Sequence, residues 1–72
     1  MAGEITYEIK KQIAVLREGK WNLELNIVSW NGGEAKYDIR TWNPEHDKCG
    51  KGVSFCREEF KNLYIVLGEV FG

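Results

Sequence analysis

Seventy-two residues with a formal net charge of −1, 43% apolar and 29% charged, describe one small domain, residues 1–72, with a core of its own. The three tryptophans and the apolar content exclude a disordered tail, no apolar run has membrane-spanning length or the form of a secretory leader, and two cysteines are too few for a secreted disulfide framework. The expected setting is the cytoplasm, with reduced thiols, and a chain this short buries only about 60% of its unfolded surface, so its stability is marginal without the help that disulfides, metals or oligomerisation give small scaffolds.

Residues 1–6 read as an N-terminal tail. The segment 7–17 fits two structures. Ile5, Ile9, Ile13 and Leu16 make a helical stripe, whereas Ile13, Ala14, Val15 and Leu16 fit a strand buried on both faces, and periodicity does not separate the two. Glu18-Gly19-Lys20 reads as a turn. Residues 20–31 and 35–43 alternate as two strands. Trp21, Leu23, Leu25, Ile27, Tyr37, Ile39 and Thr41 fall on one apolar face, where Trp21 reads as core. Asn22, Glu24, Asn26, Val28, Trp30, Lys36, Asp38, Arg40 and Trp42 fall on the other, which is expected to face water.

Directly opposed residues share a face, so paired positions have like parity. A two-residue loop at Gly32-Gly33 breaks that rule. A three-residue loop over 31–33 obeys it, with a type I turn and Gly33 in the left-handed region. It sets Glu24 opposite Arg40, Asn22 opposite Trp42 and Leu25 opposite Ile39. The Glu24–Arg40 pairing suggests a cross-strand ion pair.

Pro44 ends the second of these strands. Residues 44–50 read as an exposed polar loop, and Val53 and Phe55 mark a short fourth strand after Lys51-Gly52. Residues 57–71 then form a helix. Phe60, Leu63, Tyr64, Leu67, Val70 and Phe71 share one face, and Glu58 and Glu59 occupy the first turn, where the helix dipole favours them. Ser54 and Cys56 are cap candidates. Ile65 and Val66 widen the stripe. Surplus apolar surface on the only helix suggests a second copy of the chain, with Tyr64, Ile65, Val66 and Val70 at the dimer interface.

Trp30 and Trp42 beside Lys36 and Arg40 suggest unpaired bases stacking on aromatics while cations neutralise phosphates. The competing reading is cross-strand or interface packing of the indoles. The candidate nucleic-acid contacts are Trp30, Asn31, Lys36, Arg40, Trp42, Lys48, Lys51, Lys20 and Asn26. The near-neutral charge means that stacking would carry an unusually large share of the affinity. His46, Cys49 and Cys56 match no structural zinc spacing, no cofactor motif is present, and no constellation of side chains suggests catalysis.

The order Trp30-Asn31-Gly32, then Tyr37-Asp38-Ile39-Arg40-Thr41-Trp42, then Gly50-Lys51-Gly52-Val53-Ser54-Phe55, then residues 58–63, resembles the positive-cofactor-four family of transcriptional coactivators, and most closely its small bacterial YdbC-like members. The resemblance covers residues 21–67. It implies an α+β ββββα protomer, a curved four-stranded antiparallel sheet with a C-terminal helix. It also implies a homodimer through the helices and sequence-tolerant binding of single-stranded DNA, and it makes segment 7–17 a strand. Family aromatics match Trp30 and Trp42, its Asp-Ile-Arg strand matches Asp38, Ile39 and Arg40, and its loop Lys-Gly matches Lys51 and Gly52. The family often has lysines at the hairpin tip, where this chain has Asn31, Gly33 and Glu34, which weakens the phosphate contacts expected there. Docking of the transcription machinery, or an RNA chaperone role with single-stranded RNA as partner, are the alternatives for the same face.

Overall fold

The computed structural model describes residues 5–72, so most of the expected tail lies outside the described residues. Four strands and one helix follow in order: β1 Tyr7–Arg17, β2 Asn22–Trp30, β3 Ala35–Trp42, β4 Cys49–Phe55 and α1 Arg57–Phe71. The strands form one antiparallel sheet in the order β1-β2-β3-β4. Segment 7–17 is therefore a strand. Its pairing with β2 slips at three places, between Ile9 and Lys11, Gln12 and Ala14, and Val15 and Arg17. Each slip leaves an extra residue on β1, and such bulges bend and twist an edge strand.

The β2–β3 register is the one that parity demands, with Glu24 opposite Arg40, Asn22 opposite Trp42 and Leu25 opposite Ile39. The turn differs from expectation. Asn31 (φ 53°) and Gly32 (φ 72°) take the left-handed region, not Gly33, and the Gly33 N–H donates to the Trp30 carbonyl at 2.9 Å. Two successive left-handed residues match the twist of the flanking strands, which a type I turn would splay.

β4 is longer than expected and begins at Cys49 inside the anticipated loop. Gly50 and Gly52 hide it from a pattern reading, because glycine is a poor strand former. Gly52 is needed there: it opposes Arg40, and a Cβ at this position would collide with the Arg40 Cβ and the Ile39 carbonyl. Helix α1 follows after a single residue, Cys56. Glu59 accepts a hydrogen bond from the Cys56 N–H at 2.9 Å and closes the helix N-terminus.

Burial reverses the expected faces. The buried residues of the sheet are even-numbered with few exceptions: Val28, Trp42 (1% exposed), Glu24, Asn26 (1%) and Asp38 (0%). Leu23, Leu25, Ile27 and Ile39 are only half-buried, and Trp21 is 39% exposed rather than core. The helix lies on the odd-numbered face at its first turns, where Phe60 stacks on Tyr37 with centroids 4.4 Å apart and also meets Phe55. No helix residue is buried, and Tyr64, Ile65, Val66, Leu67, Val70 and Phe71 are all exposed. Alternation told which residues share a face. The cover came from elsewhere, because tertiary contacts and not the strand pattern decide which face is closed.

Candidate functional site

The even-numbered face carries an aromatic cluster built across three elements. Tyr7 on β1 is directly opposite Trp30 on β2, which puts both side chains on one face. Trp42, from the far end of β3, reaches the same cluster. Trp30 and Trp42 lie nearly parallel, 12° between planes and 6.2 Å between centroids, and Tyr7 tilts against both at 5.7 and 5.1 Å. Such separations fall in the range of offset and tilted aromatic pairs.

Trp42 is not the exposed platform that the sequence suggested. The turn over residues 43–48 folds back on it, with the His46 ring 5.8 Å from the indole. This turn is held from within. The Asn43 Oδ1 accepts from the Asp47 and Lys48 N–H groups, each at 3.0 Å, and the Asn43 Nδ2 reaches Glu45 and Asp47. Left-handed φ at His46 (59°) lets the turn close. The Tyr7 hydroxyl donates to the His46 carbonyl, and the His46 Nε2 sits 3.0 Å from both Glu24 carboxylate oxygens. Trp30 is half-buried and remains the accessible indole of the pair.

Arg40 lies over Trp30, its guanidinium carbon 4.5 Å from the ring centroid. Its Nε donates to the Asp38 Oδ1 at 2.7 Å, and the Asp38 Oδ2 accepts from the Ser54 hydroxyl at 2.7 Å. The expected Glu24–Arg40 ion pair is thus absent. The two residues are opposed across the strands, yet Arg40 turns along its own strand to Asp38, and Glu24 is taken by His46 and by the Asn26 amide at 3.0 Å. Burial pulls the Arg40 guanidinium towards the neutral form, but the hydrogen bonds and charges of Asp38 and then Cys49 together outweigh it and leave the group above its ordinary pKa.

The other sequence candidates separate into two groups. Asn31 is exposed at the hairpin tip, where its side chain accepts from the Thr6 N–H at 2.9 Å and its N–H donates to the Thr6 carbonyl at 2.7 Å, tying the start of β1 to the hairpin. Asn26 is buried, and its Oδ1 has no hydrogen-bond partner among the described residues, as is true of Nε1 of both Trp30 and Trp42. Lys36, Lys48, Lys51 and Lys20 are all exposed, outside the aromatic cluster. Tyr7 and His46 belong to the site, but the sequence pattern points to neither. Tyr7 lies in the segment whose type periodicity leaves open, and His46 reaches the cluster only through a left-handed turn that no periodicity announces.

An open pocket of about 440 Å³ adjoins this cluster, lined by Tyr7, Trp30, Asn31, Arg40, Asp47 and Ser54, among others. A second hollow of about 300 Å³ lies under the bulged part of β1, beside Glu24 and Asn26. No helix among the described residues is long and apolar enough to cross a membrane.

Comparison with known proteins gives two findings. The family model described as Transcriptional Coactivator p15 (PC4) matches residues 17–65, which take in β2, β3, β4 and the first part of α1. An uncharacterized protein of Treponema pallidum (strain Nichols) is 48% identical over 50 residues, a segment that covers 69% of this chain and 59% of the relative.

Proposed function

Since this chain belongs to the PC4 family of transcriptional coactivators, we propose that it is a non-enzymatic, sequence-tolerant single-stranded DNA-binding protein that acts as a homodimer in the cytoplasm, at the nucleoid. Family membership supports nucleic-acid binding in general. The observation that carries the finer reading is the accessible Trp30 ring, backed by Trp42, flanked by Tyr7 and held under the Arg40 guanidinium on the sheet face that the helix leaves open. An unpaired base stacks on the guanidinium plane or on the part of the indole that Arg40 leaves uncovered, because every base has a π-face, whereas paired bases cannot present theirs. Trp42, buried and nearly parallel to Trp30, supports the platform instead of offering a second one. The exposed Lys36, Lys48, Lys51 and Lys20 lie outside the cluster and track the phosphates.

The dimer rests on the helix. All of Tyr64, Ile65, Val66 and Val70 are exposed in the single chain, together with Leu67 and Phe71. Contiguous apolar surface of this kind is rare on a monomer.

Titration of the intrinsic tryptophan fluorescence with matched single-stranded and duplex DNA tests the reading. Single strands are expected to quench Trp30 and duplex to do so only weakly. Trp30→Ala is expected to weaken single-strand binding by about 1–3 kcal/mol. With few cations available, the salt slope is about −0.7 per phosphate neutralised and shallow overall. Unchanged affinity in Trp30→Ala rules out stacking at this site, and a steep preference for RNA of matched sequence moves the assignment to an RNA chaperone.

A further inference from the structure

The pocket beside Trp30 has a chemistry that suits neither a phosphate nor a featureless stacking surface. No lysine is among the residues that line it, and its one cationic side chain, Arg40, already faces a buried carboxylate, Asp38. Asp47 is among the lining residues and would repel a phosphate. Glu24 and Glu45 add negative charge around the adjoining turn, through their contacts with His46 and Asn43. What the pocket offers is a fixed fork of donors and a carboxylate acceptor beside two aromatic rings. With Nε committed to Asp38 and the Cys49 thiol also within hydrogen-bond reach of the guanidinium, the remaining outer hydrogens of its five lie towards the pocket in a plane set by the Asp38 bond. A volume of about 440 Å³ lies in the range of small-molecule sites and admits one planar heterocycle.

Among the four DNA bases, guanine alone presents two adjacent acceptors, O6 and N7, and two adjacent donors, the N1 and N2 hydrogens. The first pair matches an arginine fork and the second a carboxylate. We infer that this pocket takes one unpaired guanine, with O6 and N7 on the Arg40 guanidinium, the N1–H and N2–H edge towards Asp47, and the ring against Tyr7 and Trp30. The inference rests on the single-strand reading and adds to it one position at which the otherwise tolerant surface prefers a base.

The test uses the unmodified protein and a labelled dT oligomer, compared with the same oligomer carrying one central dG, dA or dC. A single dG is expected to tighten binding about tenfold, the effect of one good bidentate contact. Replacing that dG by 7-deazaguanine removes N7, and replacing it by hypoxanthine removes the N2 amino group. Each is expected to lose most of the gain. In Asp47→Asn the difference between guanine and hypoxanthine is expected to shrink. Asp47 also supports the turn through Asn43, so the base analogues on the unmodified protein are the deciding measurement. Equal affinity for dG, dA, dC and dT overturns the inference, as does a gain for dA equal to that for dG, which would mean stacking of any purine. Either result leaves single-strand binding standing. Failure of every oligomer to bind removes both.

Discussion

Asp38 holds the site together more than any other side chain. It is fully buried, and its two oxygens serve Arg40 and Ser54 at 2.7 Å each. The sequence shows Arg40 and Asp38 two positions apart on one strand face, but the opposed Glu24 looks the better partner. Register fixes which Cα atoms face each other, not which way a long side chain turns. A partner on the same strand prevailed because Glu24 is engaged by His46, a residue 22 positions away that strand pairing says nothing about. Removing one partner of a buried pair strands the other, which costs about 3–5 kcal/mol when both are buried. Arg40 keeps some access to water, so Asp38→Ala is expected near the lower end, about 3 kcal/mol, with part of it from the Ser54 hydroxyl left unpaired. Urea unfolding measures this. Asp38→Asn, which keeps the shape and an acceptor, is expected to lose less. It should still weaken single-strand binding, because a neutral acceptor holds Arg40 less firmly over Trp30.

Strands β2 and β3 and the helix were legible because their patterns are long and regular, and parity alone chose the hairpin register. Strand β4 was legible only in its second half. Gly50, Lys51 and Gly52 lack side chains that mark a strand, and their placement depends on β3, since the space above Arg40 admits only a glycine. The helix start is a local matter and carries a prediction in pH. The Cys56 amide, hydrogen-bonded to the Glu59 carboxylate, holds Glu59 below its ordinary value of 4.5, with a contribution from the charge of Lys36. A carboxyl with a depressed folded pKa adds stability that is fully present above the unfolded pKa and is lost as pH falls through the folded value. Glu59→Ala is therefore expected to melt below the wild type at neutral pH. The gap between the two should narrow as pH falls below the ordinary carboxylate value, as the wild-type carboxyl protonates and the charged cap is lost. Thermal melts at neutral and acid pH measure it. A gap that stays constant into acid would show that the Glu59 charge does not support the helix start.

At the scale of the whole molecule, alternation assigned residues to faces correctly and misassigned which face is covered. The sequence pattern is that of a sheet with an apolar odd-numbered face. In the single chain that face is covered only at the start of the helix, where Phe60 meets Tyr37 and Phe55. Leu23, Leu25 and Ile27 stay half-buried, and Trp21 and Val53 are exposed. Pattern and structure agree if the cover is a second chain, because residues selected for burial need not be buried by their own protomer. A dimer through α1 makes stability depend on protein concentration, since association adds to folding by mass action. The melting temperature is expected to rise with concentration, and sedimentation is expected to give twice the 8.3 kDa chain mass. Replacing Ile65 and Val66 together by glutamate touches no buried side chain of the single chain. In an isolated protomer such a change stays within about 0.5 kcal/mol per site. Across a dimer interface it would place unpaired charges in an apolar contact. The double variant is thus expected to sediment as a monomer and to melt at a temperature independent of concentration. A wild-type protein already monomeric at every concentration, with the double variant equally stable, would show that the exposed face of α1 is not where two copies meet.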